Sequence, residues 1–150
     1  MTTIRWMKVL SNGKVKKEKP GKGSEIIYLV RAKKISDEYV LKPGKSDYGE
    51  DRLNTHVNYF SNEPISQISI YWSFCHTSDL LEDTILDEFN KHHKGISLNS
   101  METEDSLGFL SELIKYLGLD LSSEGEYYTG LSKLDAEKLT RIFKKHVISN

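Results

Sequence analysis

The sequence predicts an α+β domain: a mainly antiparallel sheet from the N-terminal half, packed against about three helices from the C-terminal half. Three observations predict it. Residues 65–76 alternate at period two, with Ile68, Ile70, Trp72 and Phe74 on one side and Gln67, Ser69, Tyr71 and Ser73 on the other, as a central strand with one buried face requires. Upstream of that stretch the chain is a series of strand-forming runs separated by Gly, Pro and Asn. Downstream, apolar residues recur at helical spacing over 79–94, 101–117 and from 132, with 120–131 read as a loop that admits a short strand at Tyr127-Tyr128.

Each element follows from local chemistry. Ile4 to Leu10 reads as a strand, and Asn12-Gly13 is the pair that two-residue hairpin turns favour, so a return strand through Val15 is expected. Residues 16–24 hold Lys16, Lys17, Lys19 and Lys22 with Pro20, Gly21 and Gly23, a composition suited to an exposed basic loop. The unbroken run Ile26-Ile27-Tyr28-Leu29-Val30 suits a strand covered on both faces. Tyr39-Val40-Leu41 reads as a short strand ended by a turn at Lys42-Pro43-Gly44. Residues 53–60 alternate and are expected to pair antiparallel with the central strand.

Three helices are expected next. In the first, Asp79 as N-cap with Glu82 approximates a capping box, and Leu81, Ile85, Phe89 and His92 share a face opposite Asp79, Asp83 and Asp87. Gly95 closes it. The second spans 101–117 and is apolar over about half its circumference. Ser132 with Asp135 opens the third, whose stripe is Leu139, Ile142, Phe143 and Val147, with Lys138, Arg141, Lys144 and Lys145 turned outward.

At 150 residues with 37% apolar content, the chain has material for one core. A single domain over 1–150 is therefore expected, strand-rich over 1–76 and helical over 77–150. No run approaches the ~18 to 20 apolar residues of a membrane span, and the first residues lack the apolar stretch of an export signal. The single Cys75 cannot form an internal disulfide. These features predict a cytoplasmic protein without membrane contact.

The net charge of −1 conceals an asymmetry. Residues 1–76 hold thirteen Lys/Arg against eight Asp/Glu, and residues 77–150 hold eight against fourteen. Opposite charges on the two halves also permit self-association. The acidic surplus concentrates in 79–126, which carries twelve acids and three lysines. Such a segment is either a solubilising surface or an anionic face that attracts a basic protein quickly and imitates nucleic-acid charge.

The leading functional expectation is a small protein-binding inhibitor, such as a toxin immunity protein or an inhibitor of a nuclease or other defence protein. Its expected contacts are Asp79, Asp83, Asp87, Glu102, Glu104 and Asp105. The alternative is a nucleic-acid-binding module using the basic loop 14–34, with Lys16, Lys17, Lys19, Lys22, Arg31, Lys33 and Lys34 as contacts.

An enzyme is the third reading, and its residues are weak. Cys75 and His76 are adjacent on a strand and point to opposite faces, so only His56 could serve the thiol. Glu88 with His92 is the one pair at metal-ligand spacing on the first helix. Pro20-Gly-Lys-Gly-Ser24 lacks the full phosphate-loop spacing and precedes a strand pattern. Hence no catalytic residue, metal or cofactor is expected.

Overall fold

The computed structural model describes residues 3–49, 65–95 and 126–149. They form a six-stranded mixed sheet with two helices. In chain order the elements are β1 (Thr3–Val9), β2 (Val15–Lys17), β3 (Ile26–Lys34), β4 (Tyr39–Ser46), β5 (Ile65–Phe74), α1 (Ser78–His92), β6 (Tyr128–Leu131) and α2 (Lys133–Ser149). The strand order is β2-β1-β5-β3-β4-β6. Four neighbouring pairs are antiparallel, and β1 runs parallel to β5 with Trp6 opposite Ile70.

The α+β class stands, with two corrections. The sheet is mixed, because β1 returns beside β5 by a long connection. Two helices are described where about three were expected, and the expected helix 101–117 lies outside the described residues. Residues 53–60 also lie outside them, and the two neighbours of β5 are β1 and β3.

The hairpin forms where Asn12-Gly13 predicts it, with a wider turn. Val9 pairs with Val15, the Leu10 amide donates to the Lys14 carbonyl (2.8 Å), and only Gly13 takes a positive φ, of 84°. This is a three-residue loop with glycine at the left-handed position. Asn12 Oδ1 accepts from the Lys14 amide (2.9 Å), which fixes the turn.

β4 runs through Lys42-Pro43-Gly44, where the sequence suggested a turn. Pro43 pairs with Leu29 of β3, while β6 contacts β4 only as far as Leu41. Proline is tolerated there because no described strand needs its missing N–H on the open side. Gly44 lies under the ring of Tyr28, its partner in register, where a Cβ would crowd the phenol.

Alternation assigns the two faces of the sheet. One carries Val9, Ile27, Leu29, Tyr39, Leu41, Tyr71 and Cys75, which join Leu81, Ile85 and Phe89 of α1 and Ala136, Leu139 and Phe143 of α2 in one apolar cluster. Thus the helices pack on the Ser69–Tyr71–Ser73 side of β5, the side that looked polar in sequence. Tyr71 and Ser69 are buried there. On the opposite face Ile26, Tyr28, Val30, Ala32, Val40, Ile68, Ile70 and Trp72 are buried too. The expectation of one buried face on β5 is therefore corrected to two, and the expectation for Ile26–Val30 holds at all five positions.

α2 starts as its sequence predicts: Ser132 Oγ accepts from the Asp135 amide (3.1 Å) and the Ser132 carbonyl from the Ala136 amide (2.9 Å). α1 does not. Its N-cap is Thr77 without a side-chain cap bond, and the buried Ser78 hydroxyl donates to Glu25 Oε1 (2.9 Å), tying the helix start to the start of β3. The helix ends at His93 in extended geometry, two residues before Gly95. Glu88 on α1 meets His146 on α2 at 2.5 Å, and His93 meets Asp135 at 3.6 Å. No described helix is long and apolar enough to cross a membrane.

Candidate functional site

Helix α1 divides into two stripes. Leu81, Ile85 and Phe89 are buried against the sheet, and Asp79, Leu80, Asp83, Thr84 and Asp87 are exposed. A helix rises 1.5 Å per residue, so the three aspartates repeat at about 6 Å along the axis. Leu80, 71% exposed, places an apolar side chain beside this acidic row. The three aspartates differ in availability. Asp79 accepts from the Lys45 ammonium of β4, a hydrogen bond that raises the lysine above its ordinary pKa. Asp83 and Asp87 form no ion pair among the described residues. The remaining expected contacts, Glu102, Glu104 and Asp105, lie outside the described residues.

The basic residues of the alternative reading do not form one surface. Lys16 and Lys17 sit on β2 at the sheet edge, and Lys19 and Lys22 follow in the next loop; all four are exposed. Arg31 lies on the helix side of β3, its guanidinium 4.9 Å from the centre of the Tyr39 ring. Lys33 and Lys34 pair with Asp37 (3.3 Å) and Glu38 (3.6 Å) across the tight connection to β4. Three of the seven therefore belong to a different part of the sheet. Lys144, expected to turn outward from the last helix, instead leans over Tyr71 at 5.1 Å. Burial lowers its pKa, and Arg31 adds to the effect.

The catalytic and metal candidates separate as well. Cys75 is buried with its Sγ 3.6 Å from Thr77 Oγ1, His76 is exposed, and His56 lies outside the described residues. Glu88 turns to His146 instead of His92, and this contact holds the Glu88 carboxyl below the usual carboxylate range. Among the described residues no three His, Cys, Asp or Glu side chains converge as a metal site would need.

Sequence reasoning missed a buried lysine. Lys42 is 3% exposed, donates to the Pro43 carbonyl (3.1 Å) and lies 5.4 Å from the centre of the Tyr127 ring. Burial lowers Lys42 and raises Glu82 of α1, and each charge partly opposes the other's shift. Tyr127, also buried, is pushed up to about 12. The ring and carbonyl offset part of the cost of burying the ammonium. The signal was present in the alternation Val40, Lys42, Gly44, which continues that of the strand. Neighbouring Tyr128 donates to Asn90 Oδ1 (2.9 Å) or Glu126 Oε2 (3.0 Å) and fastens β6 to the end of α1.

The arrangement offers recognition by charge: an uncovered acidic helix stripe over the β3–β4 side of the sheet and lysines along the β2 edge. No protein-family model, curated protein or solved structure matches this chain.

Proposed function

We propose that the protein is a small binding protein that neutralises a larger basic partner through the outer stripe of α1, in the manner of an immunity protein against a toxin nuclease or an inhibitor of a defence nuclease. The observation that carries this reading is the pairing of stripes on one helix. Leu81, Ile85 and Phe89 anchor α1 in the core, leaving Asp83 and Asp87 without ion pairs among the described residues and Leu80 open to a partner. Interfaces combine an apolar anchor with a charged rim, and a rim of one sign speeds association with the opposite sign. Lys45 holds Asp79, so Asp83 and Asp87 carry the accessible charge.

The experiment begins with recovery of a stoichiometric basic partner from source lysate at ~150 mM salt, where exposed charges act over about 8 Å. The purified pair is then compared by stopped-flow for wild type and Asp83→Lys/Asp87→Lys. Losing an interfacial rim charge acts mainly on association, so the variant should associate about tenfold or more slowly, with a smaller change in dissociation. Added salt should slow wild type toward the variant. Equal association rates would remove α1 as the contact face, and a partner whose activity is unchanged on binding would remove the inhibitory role.

A further inference from the structure

We infer that the opposite flank of the sheet carries a second, independent surface that binds single-stranded nucleic acid, centred on Phe74 and the lysines of the β1–β2 hairpin and its following loop. This goes beyond the protein-binding reading and uses none of its residues.

The geometry begins with register. Lys8 faces Trp72 on β5 and Lys16 on β2, and directly opposed residues share a face of the sheet. Phe74, two residues past Trp72, lies on that same face, away from the helices. The residue is 52% exposed, its ring packs edge-on against the buried Trp72 at 5.0 Å, and the Lys8 ammonium lies 5.0 Å from the ring centre. A half-exposed aromatic ring packed against a buried neighbour and beside a cation suits stacking of an unpaired base.

The loop after β2 brings more charge to the same place. Trp72 Nε1 donates to the Glu18 carbonyl (2.7 Å), which holds the chain across β5 as it passes from the β2 edge toward β3. Lys19 and Lys22 are displayed on this crossing, and an isolated bridge between Lys22 and Gly49 fixes its far end. Within 14–22 the exposed lysines are Lys14, Lys16, Lys17, Lys19 and Lys22, none in an ion pair among the described residues. The one acid there, Glu18, is occupied by Lys8 at 3.8 Å. Lys17 opposes Met7 on the helix side, so register places Lys8 and Lys16 on the face of the exposed ring, and Lys19 and Lys22 on the crossing add charge that no ion pair among the described residues offsets. A duplex would present its bases already stacked, so the ring favours a single strand.

The test is fluorescence anisotropy of the full chain with a labelled 20-nucleotide oligo(dT). If about four phosphates are neutralised, raising salt from ~50 to ~200 mM should weaken binding about 50-fold, and Lys16→Ala/Lys19→Ala should reduce that dependence to about 7-fold. Phe74→Ala should weaken binding about 5- to 160-fold at fixed salt while leaving the salt dependence unchanged, and Phe74→Tyr, which keeps the ring, should bind as wild type. Thermal melting verifies that each variant is folded. Absence of binding at ~50 mM salt would overturn the inference. So would an affinity indifferent to Phe74→Ala in a folded variant, or retention on vesicles with ~30% anionic lipid without binding to the oligonucleotide.

Discussion

Trp72→Phe tests how the sheet holds its basic loop. The indole is buried, 1% exposed, and its Nε1–H is the donor to the Glu18 carbonyl at 2.7 Å. Phenylalanine keeps an aromatic ring on the same face and removes that donor and part of the ring volume. Two effects follow on different scales. Globally, lost packing of a fully buried aromatic costs a fraction of the ~3–5 kcal/mol of complete truncation, so about 2 kcal/mol is expected. For a chain of this size that lowers the melting temperature by roughly 4–8 °C.

Locally, losing one net hydrogen bond of about 0.5–1.5 kcal/mol should raise the open population of residues 18–24 about 2- to 12-fold. Limited trypsin digestion under native conditions reads this directly, because Lys17 and Lys22 are the cleavage sites in or beside that loop, the Lys19–Pro20 bond being resistant to trypsin. Cleavage there should accelerate in Trp72→Phe by that factor and remain unchanged in Tyr71→Phe, whose ring lies on the helix side of the same strand. A melting temperature lowered as expected with no selective acceleration at these lysines would refute the anchoring role. An unchanged melting temperature would refute the packing argument as well.

Two further outcomes are expected. Glu88 is held below the ordinary carboxylate range, chiefly by its hydrogen bond with His146. A depressed folded pKa contributes stability above the unfolded carboxylate pKa of about 4.3 and loses it as pH falls through the folded value. The melting-temperature gap between wild type and Glu88→Gln should therefore be present at pH 6 and close progressively below about pH 4.3. The pair is partly exposed, so the gap should correspond to no more than about 1 kcal/mol; a gap that widens on acidification would contradict the sign. Gly49→Ala should destabilise by about 2 kcal/mol or more, since φ is 62° and the added methyl would abut the Gly21 carbonyl and lie 3.3 Å from the Ser24 amide. A loss near ~1 kcal/mol, the conformational part alone, would show that loop 20–24 yields to the methyl.

The sequence was most legible where one local signal acted without competition. The hairpin at Asn12-Gly13, though with a turn one residue wider than expected, the apolar run Ile26–Val30 and the Ser132 cap each formed where their chemistry predicts. It misled where tertiary contacts changed the value of a local pattern. Ser69, Tyr71 and Ser73 read as a solvent face, yet a small polar side chain permits close approach of helices, and Tyr71 supplies the apolar area they cover. Lys42-Pro43-Gly44 read as a turn because each residue disfavours a strand interior. Position reverses that reading: the open side of β4 tolerates the proline, the Tyr28 ring fills the space over the glycine, and the Tyr127 ring receives the lysine. The capping box at Asp79 failed because the helix starts earlier, with Thr77 as N-cap, which puts Asp79 inside the first turn, where its carboxylate meets Lys45. Charge composition located both candidate surfaces, but only register could assign Phe74 to one of them and remove Arg31, Lys33 and Lys34 from it.

Strand β5 links these surfaces physically. Its Tyr71 side receives the two helices, and α1 begins only four residues after Phe74, so the orientation of the acidic stripe is set by the end of this strand. Its Trp72 side holds the loop that displays Lys19 and Lys22 and ends in the exposed ring of Phe74. Period-two alternation thereby directs one helix and one loop to opposite faces of the same strand. Substitutions buried in β5 should consequently damage both surfaces together, whereas Asp83→Lys/Asp87→Lys and Phe74→Ala act at solvent and should separate them. A cellular phenotype lost with the first pair and kept with the second would assign it to protein binding, and the reverse would assign it to nucleic-acid binding. Loss with either would mean that the two surfaces act in one process, with the basic partner and the nucleic acid held on opposite flanks of the sheet.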